Sequence, residues 1–175
     1  MNTRQLVTMS LLVGIGAALH GIVPPVFNGM KPDMMLTMMF LGILLFPSAK
    51  NTLLLGLVTG ILSGLTTSFP GGLIPNVIDK PITAFVFFFM LVAVKKFAGS
   101  TITAGILTAV GTLVSGAVFL GAALTIVGLP GGAGFAALFI AVVLPATGLN
   151  TIAMALIYPI VQSIMKRSNL VSVNE

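Results

Sequence analysis

Charged side chains are too scarce in this chain to cover the surface of a soluble protein. Eight basic and three acidic residues make up 6% of its 175 residues, against roughly 25% in an ordinary soluble domain. The hydrophobic fraction is 57% and the mean hydropathy is +1.18. Because a folded chain needs polar groups wherever it meets water, this composition predicts a polytopic integral membrane protein.

Chain length limits the number of membrane-spanning segments. A helix needs about 20 residues to cross the hydrocarbon core, so a chain of 175 residues accommodates about six helices with short loops. We expect an all-α protein with six transmembrane helices in a single transmembrane domain, residues 1–175. The expected spans are residues 6–23, 34–46, 52–69, 78–94, 101–129 and 135–165. The second span is short, and Pro145 and Pro159 predict kinks in the sixth.

The distribution of basic residues predicts the orientation of these spans. An even number of spans puts both termini on one side of the membrane. Lys31 and Lys80 fall on the opposite side, and all the other basic residues fall on the terminal side. Those others are Arg4, Lys50, Lys95, Lys96, Lys166 and Arg167. Since cytoplasmic loops carry an excess of lysine and arginine, we expect both termini in the cytoplasm.

Composition also argues against several classes of function. The chain has no cysteine, which excludes disulfides and thiolate chemistry. One histidine and three acidic residues leave little for acid–base or metal catalysis. The basic residues form no continuous face, which argues against nucleic-acid binding. We therefore expect neither an enzyme nor a cofactor or metal site, and a chain whose partners include membrane lipid.

Two oppositely charged pairs, Lys31 with Asp33 and Asp79 with Lys80, interrupt the apolar sequence. Each pair stands beside a proline and near an asparagine. One interpretation is an interfacial salt bridge with helix capping, Asp33 lying at the start of the second span. The other is a site for a zwitterion, since a neighbouring cation and anion complement an amino acid, and ionisable groups in membranes are costly. The candidate substrate-binding residues are Asn28, Lys31, Asp33, Met34, Asn76, Asp79, Lys80 and Asn150.

For two of these candidates, Met34 and Asn150, the sequence allows a structural as well as a ligand-binding interpretation. Met34 begins a run with four methionines, MMLTMM, which predicts either core packing or an adaptable wall for a flat aromatic ligand. Asn150 lies near the middle of the sixth span, where a buried amide must find a partner. That partner is either a neighbouring helix or the ligand.

Small residues line one face of the first span. Ser10, Gly14 and Ala18 recur every fourth residue, a spacing that lets another helix approach closely in lipid. The approaching helix belongs either to the same protein or to a separate membrane subunit.

Three stretches carry a resemblance to a known family. They are LHGIVPPVFNGMKPDMMLTMMFLGILLFP, IPNVIDKPITAF, and IVGLPGG with AVVLPATGLNTI. The chain resembles the bacterial tryptophan-transport family TrpP, which looks like the substrate-binding S components of energy-coupling-factor transporters. Such components dock through Ala-x-x-x-Ala on the first helix, where this chain has Ser10 and Gly14.

The resemblance implies a small-molecule transporter that binds and imports L-tryptophan across the bacterial cell membrane. Its expected partners are a transmembrane T component and two ATPase subunits. One alternative is a stand-alone ion-coupled secondary amino-acid carrier, in which Asp33 or Asp79 would be the coupling carboxylate. Another is a structural membrane protein that transports nothing. Which lysine and which aspartate would contact the ligand stays open.

Overall fold

The computed structural model describes residues 3–22, 32–97 and 99–167, and these form a bundle of apolar helices. Two single turns of 3-10 helix, Lys95–Phe97 and Pro130–Gly132, lie in the connections. No strand occurs in these ranges, so the all-α prediction is confirmed. The helices are α1 (Thr3–Ile22), α2 (Met34–Leu45), α3 (Ala49–Leu65), α4 (Leu73–Ala93), α5 (Thr101–Ile126) and α6 (Phe135–Arg167).

Four of these helices, α1, α4, α5 and α6, are long and apolar enough to cross a membrane. Apolar side chains face outward along them. On α6, four residues spaced by four are 58–64% exposed, whereas the polar Asn150 is fully buried. The exposed residues are Ile152, Leu156, Ile160 and Ile164. This arrangement is stable where lipid rather than water surrounds the bundle.

The short helix α2 lies at the centre of the bundle. It has 12 residues, of which 11 are buried, and it contacts α1, α3, α4, α5 and α6. At a rise of 1.5 Å per residue it is about 18 Å long. A helix that is apolar on every side is stable only when other helices surround it. Its Phe40 ring stacks on Phe87 of α4, with the ring centroids 4.1 Å apart.

A line of glycines brings α3 and α4 into close contact. Gly56, Gly60 and Gly64 recur every fourth residue on the face of α3 that meets α4. A Cβ on Gly56 would lie 2.9 Å from the Cα of Pro81, and one on Gly60 would lie 3.1 Å from the Asn76 carbonyl oxygen. Small residues at this spacing allow backbones to approach. We call this contact the glycine seam; the sequence analysis did not identify it.

The start of α4 corrects the sequence prediction. The helix begins at Leu73, whereas we expected the span to begin at residue 78 and read residues 70–76 as a loop. Pro75 lies in the first turn, where a helix needs no backbone N–H donor, so it does not prevent helix formation. Asp79 and Lys80 therefore lie about two turns inside the helix rather than at its end.

The third helix also differs from its predicted bounds. It begins at Ala49, because the Ser48 side chain caps it by accepting from the Asn51 backbone N–H. It ends at Leu65, short of the predicted residue 69. The segment after it, residues 66–72, forms the connection to α4.

A wider turn interrupts α6 near its start. Residues Phe139–Val143 form a π-helical segment, in which the Leu144 N–H bonds the Phe139 carbonyl. Pro145 follows directly, and helix irregularities concentrate at prolines and π-bulges. The irregularity places Val143 against α5, where a Cβ on Gly116 would lie 2.3 Å from the valine side chain.

The glycine seam should tolerate no side chain. We expect Gly56→Ala to lower the free energy of unfolding by about 1–3 kcal/mol, because the new methyl meets backbone rather than a movable side chain. Gly121→Ala is the matched control, since nothing lies within 4 Å of its Cβ position; it should be neutral or stabilising. Thermal unfolding of detergent-purified protein measures both. Equal midpoints for the two variants would contradict the close approach of α3 and α4.

Candidate functional site

A cavity opens at one end of the bundle, where α1 ends, α2 begins, and the α3–α4 and α5–α6 connections meet. Its volume is about 390 Å³, within the range of about 300–1,000 Å³ typical of small-molecule sites. Apolar residues that include Leu36, Phe69, Phe119 and Val143 form part of the wall. The polar lining residues are His20, Asp33, Ser63, Thr67, Ser68, Asn76, Lys80, Thr112, Ser115 and Asn150.

The ammonium group of Lys80 is the centre of the charged part of this wall. It donates to Asp79 Oδ2 at 2.8 Å, to Asp33 Oδ2 at 3.1 Å and to Ser115 Oγ at 3.3 Å. The lysine side chain is 3% exposed. Because an ammonium has three N–H donors, these three contacts use all of them.

The two aspartates have different environments. Asp79 is fully buried and also accepts from Thr83 Oγ1 and Ser115 Oγ, each at 2.7 Å. Asp33 lines the cavity, whereas Asp79 is not one of the described lining residues. The Asp33 side chain is 28% exposed. Asp79 therefore fixes Lys80 from behind, while Asp33 presents a carboxylate to the cavity.

Helix geometry holds Asp33 in place. It is the N-cap of α2, and its Oδ1 accepts from the Leu36 backbone N–H at 2.9 Å, a role that aspartate favours. Its own backbone N–H donates to Asn150 Oδ1 at 2.8 Å, and Asn150 Nδ2 donates to Thr112 Oγ1 at 3.3 Å. His20 Nδ1 lies 3.9 Å from Asp33 Oδ1. The expected partner of the buried Asn150 amide is thus found on neighbouring segments.

The structure brings most of the described candidate residues together. Asp33, Asn76, Lys80 and Asn150 line the one cavity, and Asp79 lies directly behind Lys80. Asn76 also donates through Nδ2 to the Gly72 carbonyl at 2.8 Å. Asn28 and Lys31 lie outside the described residues.

The methionine run lies elsewhere. Met34 belongs to the buried hydrophobic core with the other three methionines of α2. Within the described part of the chain it is not a cavity-lining residue. Its carbonyl oxygen lies 3.3 Å from the Cβ position of Gly16, so this part of α2 packs on α1. Because α2 is enclosed on all sides, an apolar run in it does not reveal which residues border a cavity.

Pairing across the bundle was not predictable from neighbouring residues. The sequence groups Asp33 with Lys31, yet its described ion-pair partner is Lys80, 47 positions away. The hydroxyls of α5 were also missed. Thr108, Thr112 and Ser115 are buried at i, i+4 and i+7, a polar stripe in an apolar helix that could have indicated them.

Two aromatic rings form part of the apolar wall. Phe69 follows α3 and Phe119 lies on α5; their ring centroids are 5.1 Å apart and their planes meet at 83°. This is the favoured edge-to-face arrangement of aromatic rings. No periodicity in the sequence indicates these two phenylalanines among twelve.

The small-residue face of α1 lies away from the cavity. Ser10, Gly14 and Ala18 are exposed. Ser10 and Gly14 line a second groove, of about 280 Å³, whose other wall is formed by apolar residues of α3 such as Leu54 and Val58. Nothing lies within 4 Å of the Cβ position of Gly14. This face therefore does not pack within the described bundle.

A helical bundle with membrane-length helices and a charged cavity at one end has the features of a multi-pass membrane protein. The chain belongs to the family described as Tryptophan transporter TrpP, which matches residues 2–166. The resemblance to the TrpP family drawn from the sequence is thereby confirmed. Membership in this family places the chain among transport proteins.

Relatives cover nearly the whole chain. A probable tryptophan transport protein of Bacillus subtilis (strain 168) is 61% identical over 169 residues, which are 97% of this chain and 96% of the relative. A probable tryptophan transport protein of Clostridium acetobutylicum is 45% identical, covering 95% and 96%. One of Clostridium perfringens is 40% identical, covering 97% of each chain. No solved structure matches this chain.

Removing the Lys80 ammonium should destabilise the protein even without a ligand. We expect Lys80→Met to lower the free energy of unfolding by about 3–5 kcal/mol, because the buried Asp79 carboxylate loses its cation. Thermal unfolding in detergent measures the change. The exposed Lys96 gives the matched control, and Lys96→Met should change stability by no more than about 0.5 kcal/mol. A parental midpoint for Lys80→Met would show that the buried ion pair does not form.

Proposed function

We propose that this protein binds L-tryptophan in the cavity beside Lys80 and imports it, as the substrate-binding S component of an energy-coupling-factor transporter. The observation that carries the proposal is an ion pair, Asp33 with Lys80, that borders a cavity with an aromatic wall. The names of the relatives as probable tryptophan transport proteins support the choice of substrate.

The charges of the ligand would enter between Asp33 and Lys80. All three Lys80 donors are engaged, so a ligand carboxylate must replace one acceptor. Asp33 is the acceptor that faces the cavity and the longer of the two carboxylate contacts. The ligand carboxylate then meets Lys80 while its ammonium meets Asp33. The Asp33–Lys80 ion pair is thus replaced by two ion pairs with the ligand. The net charge of the site does not change.

The indole ring would lie against the apolar wall. Phe69 and Phe119 offer ring faces and edges there, and aromatic pairs are favourable beyond their buried area. Burying roughly 200 Å² of indole surface at about 25 cal/mol per Å² contributes about 5 kcal/mol. The charged pair would then recognise an amino acid, and the wall would favour a large aromatic side chain.

The position of the cavity fits uptake from outside. Exposed basic residues lie at the other end of the bundle, where α1 and α3 begin and where α4 and α6 end. They are Arg4, Lys50, Lys95, Lys96, Lys166 and Arg167. With the positive-inside rule, this end is cytoplasmic and the cavity opens outward. In this arrangement the shorter helices α2 and α3 are the remaining two of six membrane segments, both termini are cytoplasmic, and the protein resides in the bacterial cell membrane.

Neutralising Asp33 should weaken tryptophan binding strongly. We expect Asp33→Asn to raise the Kd by about 30-fold or more, because the ligand ammonium loses its anion in a desolvated site. Asparagine also caps helices, so α2 should persist. Tryptophan fluorescence reports binding directly, since the chain contains no tryptophan and one tyrosine. Lys96→Gln, on the exposed end, should bind like the parent.

Ligand analogues separate the charge requirement from the ring requirement. Tryptamine lacks the carboxylate and indole-3-propionate lacks the ammonium, so both should compete poorly with tryptophan. If Asp33→Asn binds tryptophan like the parent, Asp33 is only a helix cap. If the parent binds none of the twenty amino acids, the proposed substrate is wrong.

The partner proposed for import is a T component that packs on α1, together with two ATPase subunits. The exposed Ser10, Gly14 and Ala18 face supports this proposal, because small residues allow a second helix to approach within lipid. The groove beside α3 extends the apolar surface that such a helix would contact.

A bulky residue on this face should separate binding from transport. The space around the Gly14 Cβ is open, so we expect Gly14→Leu to fold and to bind tryptophan with the parental Kd. Tryptophan uptake by cells, and recovery of ATPase subunits with the tagged protein, should both fall. Unchanged uptake together with purification free of ATPases would instead favour a stand-alone ion-coupled carrier.

A further inference from the structure

We propose that the hydroxyl group of Ser63 accepts a hydrogen bond from the indole N–H of the ligand and so selects tryptophan over aromatic amino acids without that donor. The inference rests on the proposed function, since it assigns one wall residue of the same cavity. Ser63 would contact the side chain of the ligand, whereas Asp33 and Lys80 would contact its charged groups.

Ser63 has a buried polar atom without a partner. It lies in α3, is 4% exposed and lines the cavity. Its Oγ makes no hydrogen bond to any described residue. Serine and threonine in helices often donate to the carbonyl four residues earlier, as Thr108, Thr147 and Thr151 do here. Since buried polar groups are normally bonded, this exception in a cavity wall points to a ligand.

The other hydroxyls of the cavity wall are either bonded or, as for Ser68, exposed. Ser115 and Thr112 line the cavity but are bonded to the charged cluster and to Asn150. Thr67 accepts from the Phe69 backbone N–H. Thr59 is buried and unpartnered among the described residues, like Ser63, but it is not one of the cavity-lining residues.

The position of Ser63 suits the far end of an amino-acid side chain. Gly60 lies beside Lys80, with its Cβ position 3.4 Å from the Lys80 Cβ. Ser63 follows three residues later, roughly 4.5 Å further along α3, in the direction of Phe69. A ligand whose carboxylate meets Lys80 and whose ring lies against Phe69 therefore passes Ser63.

The chemistry of indole supplies what Ser63 lacks. The indole nitrogen is a donor only, and a serine hydroxyl has two acceptor lone pairs. A ring without an N–H that fills this part of the cavity would seal the hydroxyl from water with no partner. Sites built around such a bond reject analogues that cannot form it.

Calorimetric titration with two nearly isosteric ligands tests the bond. L-tryptophan is compared with 3-(3-benzothienyl)-L-alanine, in which sulfur replaces the N–H. The parent should bind tryptophan tighter by roughly 5- to 30-fold. In Ser63→Ala the preference for tryptophan should fall to about twofold or less, because the indole N–H no longer has an acceptor there. Thr59→Val is the matched control: it removes an unpartnered buried hydroxyl of α3 outside the cavity and should keep the parental preference.

The outcomes distinguish this inference from the proposed function. A parent that does not bind tryptophan overturns both. A parent that binds tryptophan while Ser63→Ala keeps the full preference overturns only the role of Ser63. An equal loss of affinity for both ligands in Ser63→Ala also overturns it, since Ser63 would then only shape the wall. Collapse of the preference in Ser63→Ala alone supports the hydrogen bond.

Discussion

The ammonium of Lys80, held between two carboxylates, is the interaction on which the rest of the site depends. A lone charge among apolar helices is costly, and here Asp79 and Asp33 compensate it at 2.8 and 3.1 Å. Lys80 and Asp79 belong to α4, Asp33 to the start of α2, and Ser115 to α5. Satisfying one cation therefore fixes the relative positions of three helices and leaves one carboxylate at the cavity.

The sequence predicted the helical class from the scarcity of charge, and the same scarcity singled out Asp33, Asp79 and Lys80, which the structure brings together. It also placed Asp33 correctly as a helix cap, since that signal is local. It did not predict the Lys80–Asp33 pair, because contacts across 47 residues depend on how helices pack. The predicted start of α4 was wrong because residues 70–76 were read as a loop, and the first turn of a helix tolerates the proline at position 75.

The residues of the cavity wall were harder to predict than its charges. Ser63, Phe69 and Phe119 are ordinary residues of apolar helices and loops, and no spacing distinguishes them. The methionines of α2 look in sequence like a ligand wall, yet they lie in the core because α2 is enclosed on every side. In the proposed site, rare charged residues would bind the charged end of the ligand, and the packing of common residues would form the surface for its apolar end.

The glycine seam has a consequence for the evolution of this protein. At Gly60, α3 directly contacts the stretch of α4 that carries Lys80, because glycine has no side chain to hold the helices apart. A mutation that adds a side chain there would widen this spacing and shift the ammonium relative to Asp33, so under the proposed function it would alter recognition without touching the ligand. On the proposed function, selection for uptake would then act on a glycine buried between two helices as well as on the charged residues.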